Sequence, residues 1–166
     1  MAVRTVLELP DPTLKRQSQT VGRVDDSARA VADDLLDTMR ATVACVGLAA
    51  PQIGVGIRAF VVDVTGHRKA SSCHGELVLF DPEVVAASGP VVAREGCLSV
   101  PHLTGDVARA SSLVVRGLTL DGTDRVVEVD AFEARAVLHE IDHLDGLLFL
   151  DRVSSPEALF RRKVYR

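Results

Sequence analysis

The chain has 166 residues, 47% of them hydrophobic and 25% charged, with a formal net charge of -4, the make-up of one globular domain over residues 1–166. That mild acidity gives no electrostatic ground for DNA or an anionic membrane as partner, and no run approaches the ~20 apolar residues of a membrane span. Cysteines 45, 73 and 97 lack the number and spacing of a disulfide framework, and Glu8, Asp11 and two prolines stand where a signal peptide would be apolar, so the expected location is cytoplasmic.

In chain order, Pro10-Asp11-Pro12 marks a turn or extended segment, because each proline fixes its own backbone and biases the residue before it away from helix. Between residues 25 and 43 the apolar Val31, Leu35, Leu36, Met39 and Val43 fall at helical spacing, with Asp25, Asp26 or Ser27 available as N-cap. This predicts an amphipathic helix with its apolar face in the core. Residues 47–54 are small and broken by Pro51 and two glycines, which suits close backbone approach better than regular structure. Short β-branched runs follow at 59–64, 77–80, 91–93, 113–120 and 125–129, and Asp121-Gly122 reads as a hairpin turn. From 132 to about 144 the period is helical again, with Gly146 placed to end the helix. The expected fold is α+β, with short mixed and antiparallel strands around a central helix.

That last helix carries the strongest chemical signal, His139-Glu140-Ile141-Asp142-His143. Residues four apart share a helix face, so two imidazoles there can bind one metal ion while Glu140 faces a coordinated water. A hydrolytic metal needs a third protein ligand and an open position. A metzincin would have histidine where Phe149 stands, and the glutamate downstream, Glu157, follows too closely for a separate packed helix. The third ligand is therefore sought upstream. Cys97, which follows a β run and Gly96, is the candidate, with a buried apolar role as the ordinary alternative for a single cysteine. Asp142 either orients a ligand histidine or is solvated. His67, His74 and His102 lack partners at ligand spacing and stay outside the expected site.

Three segments in order, Val46-Gly-Leu-Ala-Ala-Pro-Gln52, Glu95-Gly-Cys-Leu-Ser99 and His139-Glu-Ile-Asp-His143, resemble the peptide deformylases, and the likeness runs from Leu9-Pro-Asp-Pro12 to about Asp151. The resemblance implies an enzyme that removes the N-formyl group from the initiator methionine of nascent peptides and releases formate. It implies one divalent metal ion on Cys97, His139 and His143, with Fe(II) expected and Zn(II), Ni(II) or Co(II) also suited to the ligands. Glu140 would transfer the proton, and the Gln52 amide and the Leu98 backbone N–H would donate to the formyl oxygen.

The substrate peptide would lie as an added strand beside Val46, Gly47, Glu95 and Gly96. Its methionine would enter a pocket of Val46, Ala93, Phe132, Arg135, Ala136 and His139, with Arg109 near its downstream end. Departures from the family pattern are Cys45 and Ala131 for glycine, Leu138 for glutamine and Asp81 for asparagine, which bear on substrate preference more than on reaction type. The basic tail, Arg161, Arg162, Lys163 and Arg166, allows a transient ribosome contact, with a solvated terminus as the simpler reading. A hydrolase for another small N-acyl group and a closed structural metal site are the rival readings; the second would need neither Glu140 nor Gln52.

Overall fold

The computed structural model describes residues 2–163, so Arg166 of the basic tail lies outside the described residues. Pro10-Asp11-Pro12 leads into a single 3-10 turn, Pro12–Lys15, capped by the Asp11 carboxylate, which accepts the Thr13 N–H at 2.9 Å. Asp25 caps α1 (Asp26–Ala41) in the same way, accepting the Ala28 N–H at 2.9 Å and so satisfying an amide that the helix leaves free. Ala28, Ala32, Leu35, Leu36 and Met39 form its buried face. The helix stops before its apolar period does. Thr42 N–H closes on Met39 O, Ala44 turns to φ +59°, and Val43, expected in the core, is 93% exposed.

Among the described residues six strands make one antiparallel sheet: β1 (Gly47–Ala49), β2 (Ala59–Val62), β3 (Leu77–Cys97), β4 (Val100–Leu118), β5 (Asp124–Asp130) and β6 (Leu159–Arg161). The order is β1-β2-β3-β4-β5, with β6 paired to Leu103, Thr104 and Gly105 of β4. The expected mixed pairing reduces, among the described residues, to one isolated parallel bridge between Gln19 and Ile57. Runs 77–80 and 91–93 belong to one strand, β3. Its middle stretch is exposed on both faces, so no alternation marks it in the sequence, and backbone pairing to β4 carries it. Register shifts near Phe80 and Val84 bend it, as β-bulges do.

The sheet is covered on both sides, and the period of two shows how. Phe60 and Val62 face α2 (Ala131–Leu144), joining Leu79, Val115, Val129, Val137, Ile141 and Leu144. Ala59 and Val61 face the other way, toward Leu35, Leu36 and Met39 of α1. Among the described residues no helix is long and apolar enough to cross a membrane. Gly146 ends α2 at φ +72°, and a Cβ there would stand 2.8 Å from the Lys15 carbonyl oxygen, so glycine is needed both for the turn and for the crossing N-terminal segment.

Two of the positions that differ from the deformylase pattern are left-handed. Asp81 has φ +47°, and its carboxylate accepts the Val21 and Gly22 N–H groups at 2.7 and 2.8 Å, a local compensation. Ala131 has φ +49° and a methyl side chain that offers no such bond. A left-handed L-residue costs about 1–2 kcal/mol, partly offset by the extra chain entropy that glycine loses on folding. Ala131→Gly is therefore expected to stabilise the protein by about 1 kcal/mol, a rise of roughly 2–4 °C in Tm, readable in a thermal melt.

Candidate metal centre and active site

Helix α2 places His139 and His143 one turn apart on its sheet-facing side, and the end of β3 brings Cys97 between them. The nearest ligand atoms of the three residues all lie within 4.8 Å of one another, with Cys97 Sγ 3.3 Å from His143 Nε2. Bonds of ~2.0–2.3 Å opened at a tetrahedral angle put ligand atoms roughly 3.3–3.7 Å apart. The thiolate and two imidazoles therefore fit a divalent ion. His143 is 1% exposed and its Nδ1 has no hydrogen-bond partner among the described residues. His139 is fixed through its other nitrogen: Nδ1 meets Glu95 Oε1 at 2.9 Å, which leaves Nε2 directed at the centre.

Glu95 and Asp142 anchor a buried charge network around these ligands. Arg109 bonds Glu95 twice, through Nε at 2.5 Å and Nη2 at 2.9 Å, and reaches Asp142 Oδ2 through Nη1 at 2.8 Å. Arg135 Nη1 adds a bond to Glu95 Oε2 at 2.6 Å, and Arg152 bonds both Asp142 oxygens. Burial would raise the Glu95 carboxyl, but the bonds from His139 and Arg109 outweigh it and hold it down at about 2. Two sequence expectations are corrected here, and one open alternative is decided. Arg109 is 6% exposed and fully engaged, so it stands behind the site and not at the substrate's end; the Glu95 side chain is likewise spent on His139 and two arginines. Asp142 is not solvated: it is 4% exposed and holds two guanidinium groups.

Glu140 lies beside the ligands and is built differently. It is 4% exposed, its Oε2 has no partner among the described residues, and burial pushes its carboxyl up to about 7 although His139 and Arg109 pull the other way. A group so poised is suited to take and return a proton near neutral pH. Gly47 makes room for it, since a Cβ on Gly47 would stand 2.7 Å from Glu140 Oε1. Gly47→Ala is expected to displace that carboxylate and lower kcat at least tenfold, with little change in metal content; steady-state rates beside metal analysis check it.

The Gln52 amide is held from both ends. Its Oε1 accepts the Ala49 N–H at 2.9 Å, while Nε2 donates to Ser99 Oγ at 3.1 Å and faces Cys97 Sγ at 3.7 Å. Residues 47–54, expected to be irregular, are in fact the edge strand β1 followed by a 3-10 turn, Ala50–Ile53, that carries Gln52. Leu98 and Ser99 form the two-residue turn closing the β3–β4 hairpin, where Cys97 pairs with Val100. Ser99, fully buried, has no role in the sequence reading; its place in the Glu95–Ser99 segment, two residues after Cys97, is the available signal.

A cleft of about 430 Å³ opens on these groups, lined by Val46, Gly47, Gln52, Gly96, Phe132 and Glu140 among others. Of the expected methionine pocket, Val46, Phe132, Arg135, Ala136 and His139 line it and Ala93 does not. Arg135 is pinned by Glu95 and by the Val107 and Val91 carbonyls. His67, set aside at first, stacks on Phe132 at the cleft with centroids 3.8 Å apart. Its loop is tied down by the buried Glu133, which bonds Ser72 and His74. Cys45 also lines the cleft. It keeps an ordinary φ because Ala44 takes the left-handed turn, and burial with the nearby Glu140 pushes its thiol up to about 11.

Fold and site together are those of a metal-dependent hydrolase. The chain belongs to the polypeptide deformylase family, whose model matches residues 3–158. It is 44% identical over 160 residues to the peptide deformylase of Thermomicrobium roseum, covering 96% of this chain and 90% of that one. The crystal structure of the Ehrlichia chaffeensis peptide deformylase superposes with a TM-score of 0.87 at 32% identity, over 95% of this chain and 91% of that one. A class I type b peptide deformylase from Acinetobacter baumannii with Met-Ala-Ser bound matches at 32% identity and a TM-score of 0.83, over 92% of this chain and all of the other.

Proposed function

We propose that this protein is a cytoplasmic peptide deformylase of one catalytic domain, residues 1–166, which hydrolyses the formamide of N-formylmethionyl nascent peptides to formate and a free amine. The observation that carries this reading is the pairing of a buried Glu140 carboxylate, whose Oε2 has no partner among the described residues, with a Cys-His-His ligand set at a cleft of about 430 Å³. Met-Ala-Ser, bound in the Acinetobacter neighbour, has the chemistry of a deformylated product.

Cys97, His139 and His143 would hold the divalent ion, which supplies Lewis acidity and brings water toward ionisation near neutral pH. Glu140 accepts the proton of the attacking water and returns it to the departing amine, serving as base and then acid. The Gln52 Nε2–H and the Leu98 N–H donate to the oxygen that gains charge. β1 is the edge of the sheet; the Val46 carbonyl is taken by the Asp63 N–H, so main-chain hydrogen bonds to an extended peptide would come from the open side at Gly47, whose carbonyl also faces the Cys45 thiol at 3.2 Å. Phe132 and Ala136 give the apolar wall for a methionine side chain, which adapts readily to such surfaces. Fe(II) is the ion expected at the thiolate-bearing site, with Zn(II), Ni(II) or Co(II) as replacements. The exposed Arg161 and Lys163 are where a transient ribosome contact would form.

The test is formate release from formyl-Met-Ala against acetyl-Met-Ala, with enzyme loaded anaerobically with Fe(II) and in parallel with Zn(II) or Ni(II). Release from the formyl peptide alone is expected. Absence of release under every metal, or equal rates on the acetyl peptide, overturns the proposal.

A further inference from the structure

Three arginines line the cleft, and among the described residues Arg94 and Arg135 are paired with carboxylates. Arg94 Nε bonds Asp106 Oδ1 at 2.7 Å, with its guanidinium carbon 3.5 Å over the Phe160 ring, and Arg135 is held by Glu95. Arg162 has no carboxylate partner among the described residues. Strand β6 delivers it: Leu159–Arg161 pairs with Gly105, Thr104 and Leu103, and the Arg162 N–H extends the ladder to His102 O at 2.9 Å. The side chain then folds onto Gly96. A Cβ built there would collide with Arg162 Nη2 and stand 3.2 Å from its Cζ. Far from being a solvated tail residue, Arg162 is half-buried and lines the same cleft as Gln52, Cys97 and Glu140.

A guanidinium withdrawn from bulk water without an internal acid, facing a substrate groove, is arranged for an external anion, and its planar fork matches a carboxylate. Gly96 directly precedes Cys97, where the formyl group would be attacked, and an extended peptide advances ~3.3 Å per residue. The groups that come alongside Gly96 are then those one or two residues beyond the methionine. We propose that Arg162 is a specificity-determining residue that binds a carboxylate on that stretch of the substrate, as an acidic side chain or a free C-terminus. This rests on the deformylase reading above.

The test compares kcat/KM within matched pairs: formyl-Met-Ala-Ser as free acid and as amide, and formyl-Met-Ala-Glu-amide and formyl-Met-Glu-Ala-amide against their glutamine counterparts. In the wild type the anionic member of at least one pair is expected to be favoured about fivefold, mainly through KM, and the preference to shrink as salt rises from about 0.02 to about 0.5 M. The pair that responds tells a C-terminal carboxylate from a side chain, and which side chain. Arg162→Gln should bring the ratio near one and Arg162→Lys should keep part of it. A ratio within one enzyme does not depend on how much of a variant is folded. Wild-type ratios near one, or equal ratios in wild type and Arg162→Gln, overturn the inference while neutral-peptide turnover leaves the deformylase reading standing. No formate from any peptide removes both.

Discussion

Glu140→Gln is expected to lower kcat by about 10²–10⁴-fold while metal content and melting temperature stay close to wild type. The three ligand atoms belong to Cys97, His139 and His143, and none belongs to Glu140. Its Oε2 makes no hydrogen bond among the described residues, so an amide of the same shape breaks no bond there and removes a buried ionisable group. The amide cannot accept the water's proton, and the loss falls on the step that needs it. Metal analysis and a thermal melt run beside the rate assay separate this from a ligand role. Metal lost in proportion to activity would place Glu140 in the coordination shell, and a kcat within tenfold of wild type would remove it from proton transfer.

Arg109→Leu is expected to do the opposite: to damage the fold more than it changes the affinity of what remains folded. The side chain bridges Glu95 and Asp142, both nearly out of water, and deleting it leaves each facing fewer cations than it was buried with. Breaking such a pair costs about 3–5 kcal/mol, a large share of the stability of a domain of this kind. Denaturant unfolding with the m-value held constant measures it. The sequence expectation of a substrate contact predicts the reverse pattern, a raised KM at unchanged stability. Because Glu95 also orients His139, metal affinity should fall with stability, by about 10–100-fold.

Legibility in the sequence followed the range of the interaction. His139, Glu140 and His143 could be read because helical geometry alone puts residues four apart on one face. Cys97 needed a further argument, since its partners are 42 and 46 residues on, and the neighbouring Gly96 and the likeness of three segments supplied it. The network of Glu95, Arg109 and Asp142 could not be read: charged residues are ordinarily solvated, and bonded partners 14 and 33 positions apart carry no local period. Val43 misled because apolar spacing continues past the point where Thr42 closes the helix. β3 was read as two strands since a two-sided exposed ribbon has no alternation to find. Arg162 lay in a basic tail, a composition that says nothing about where a strand pairing will aim one side chain.

The segment around Leu7 and Leu9 constrains when the site can close during synthesis. Leu7 N–H bonds the Gln52 carbonyl at 2.7 Å, and Leu9 N–H bonds the Ser99 carbonyl at 2.9 Å. One short segment thus clasps both turns that carry the proposed oxyanion donors, Gln52 and Leu98. Leu7 and Leu9 leave a ribosome before their partners, and neither bond can close until the partner, 45 or 90 positions later, has been synthesised. The two turns are therefore latched late, by a segment made earlier than either. A newly made copy would become competent to process other nascent chains only after Ser99 had emerged to meet Leu9.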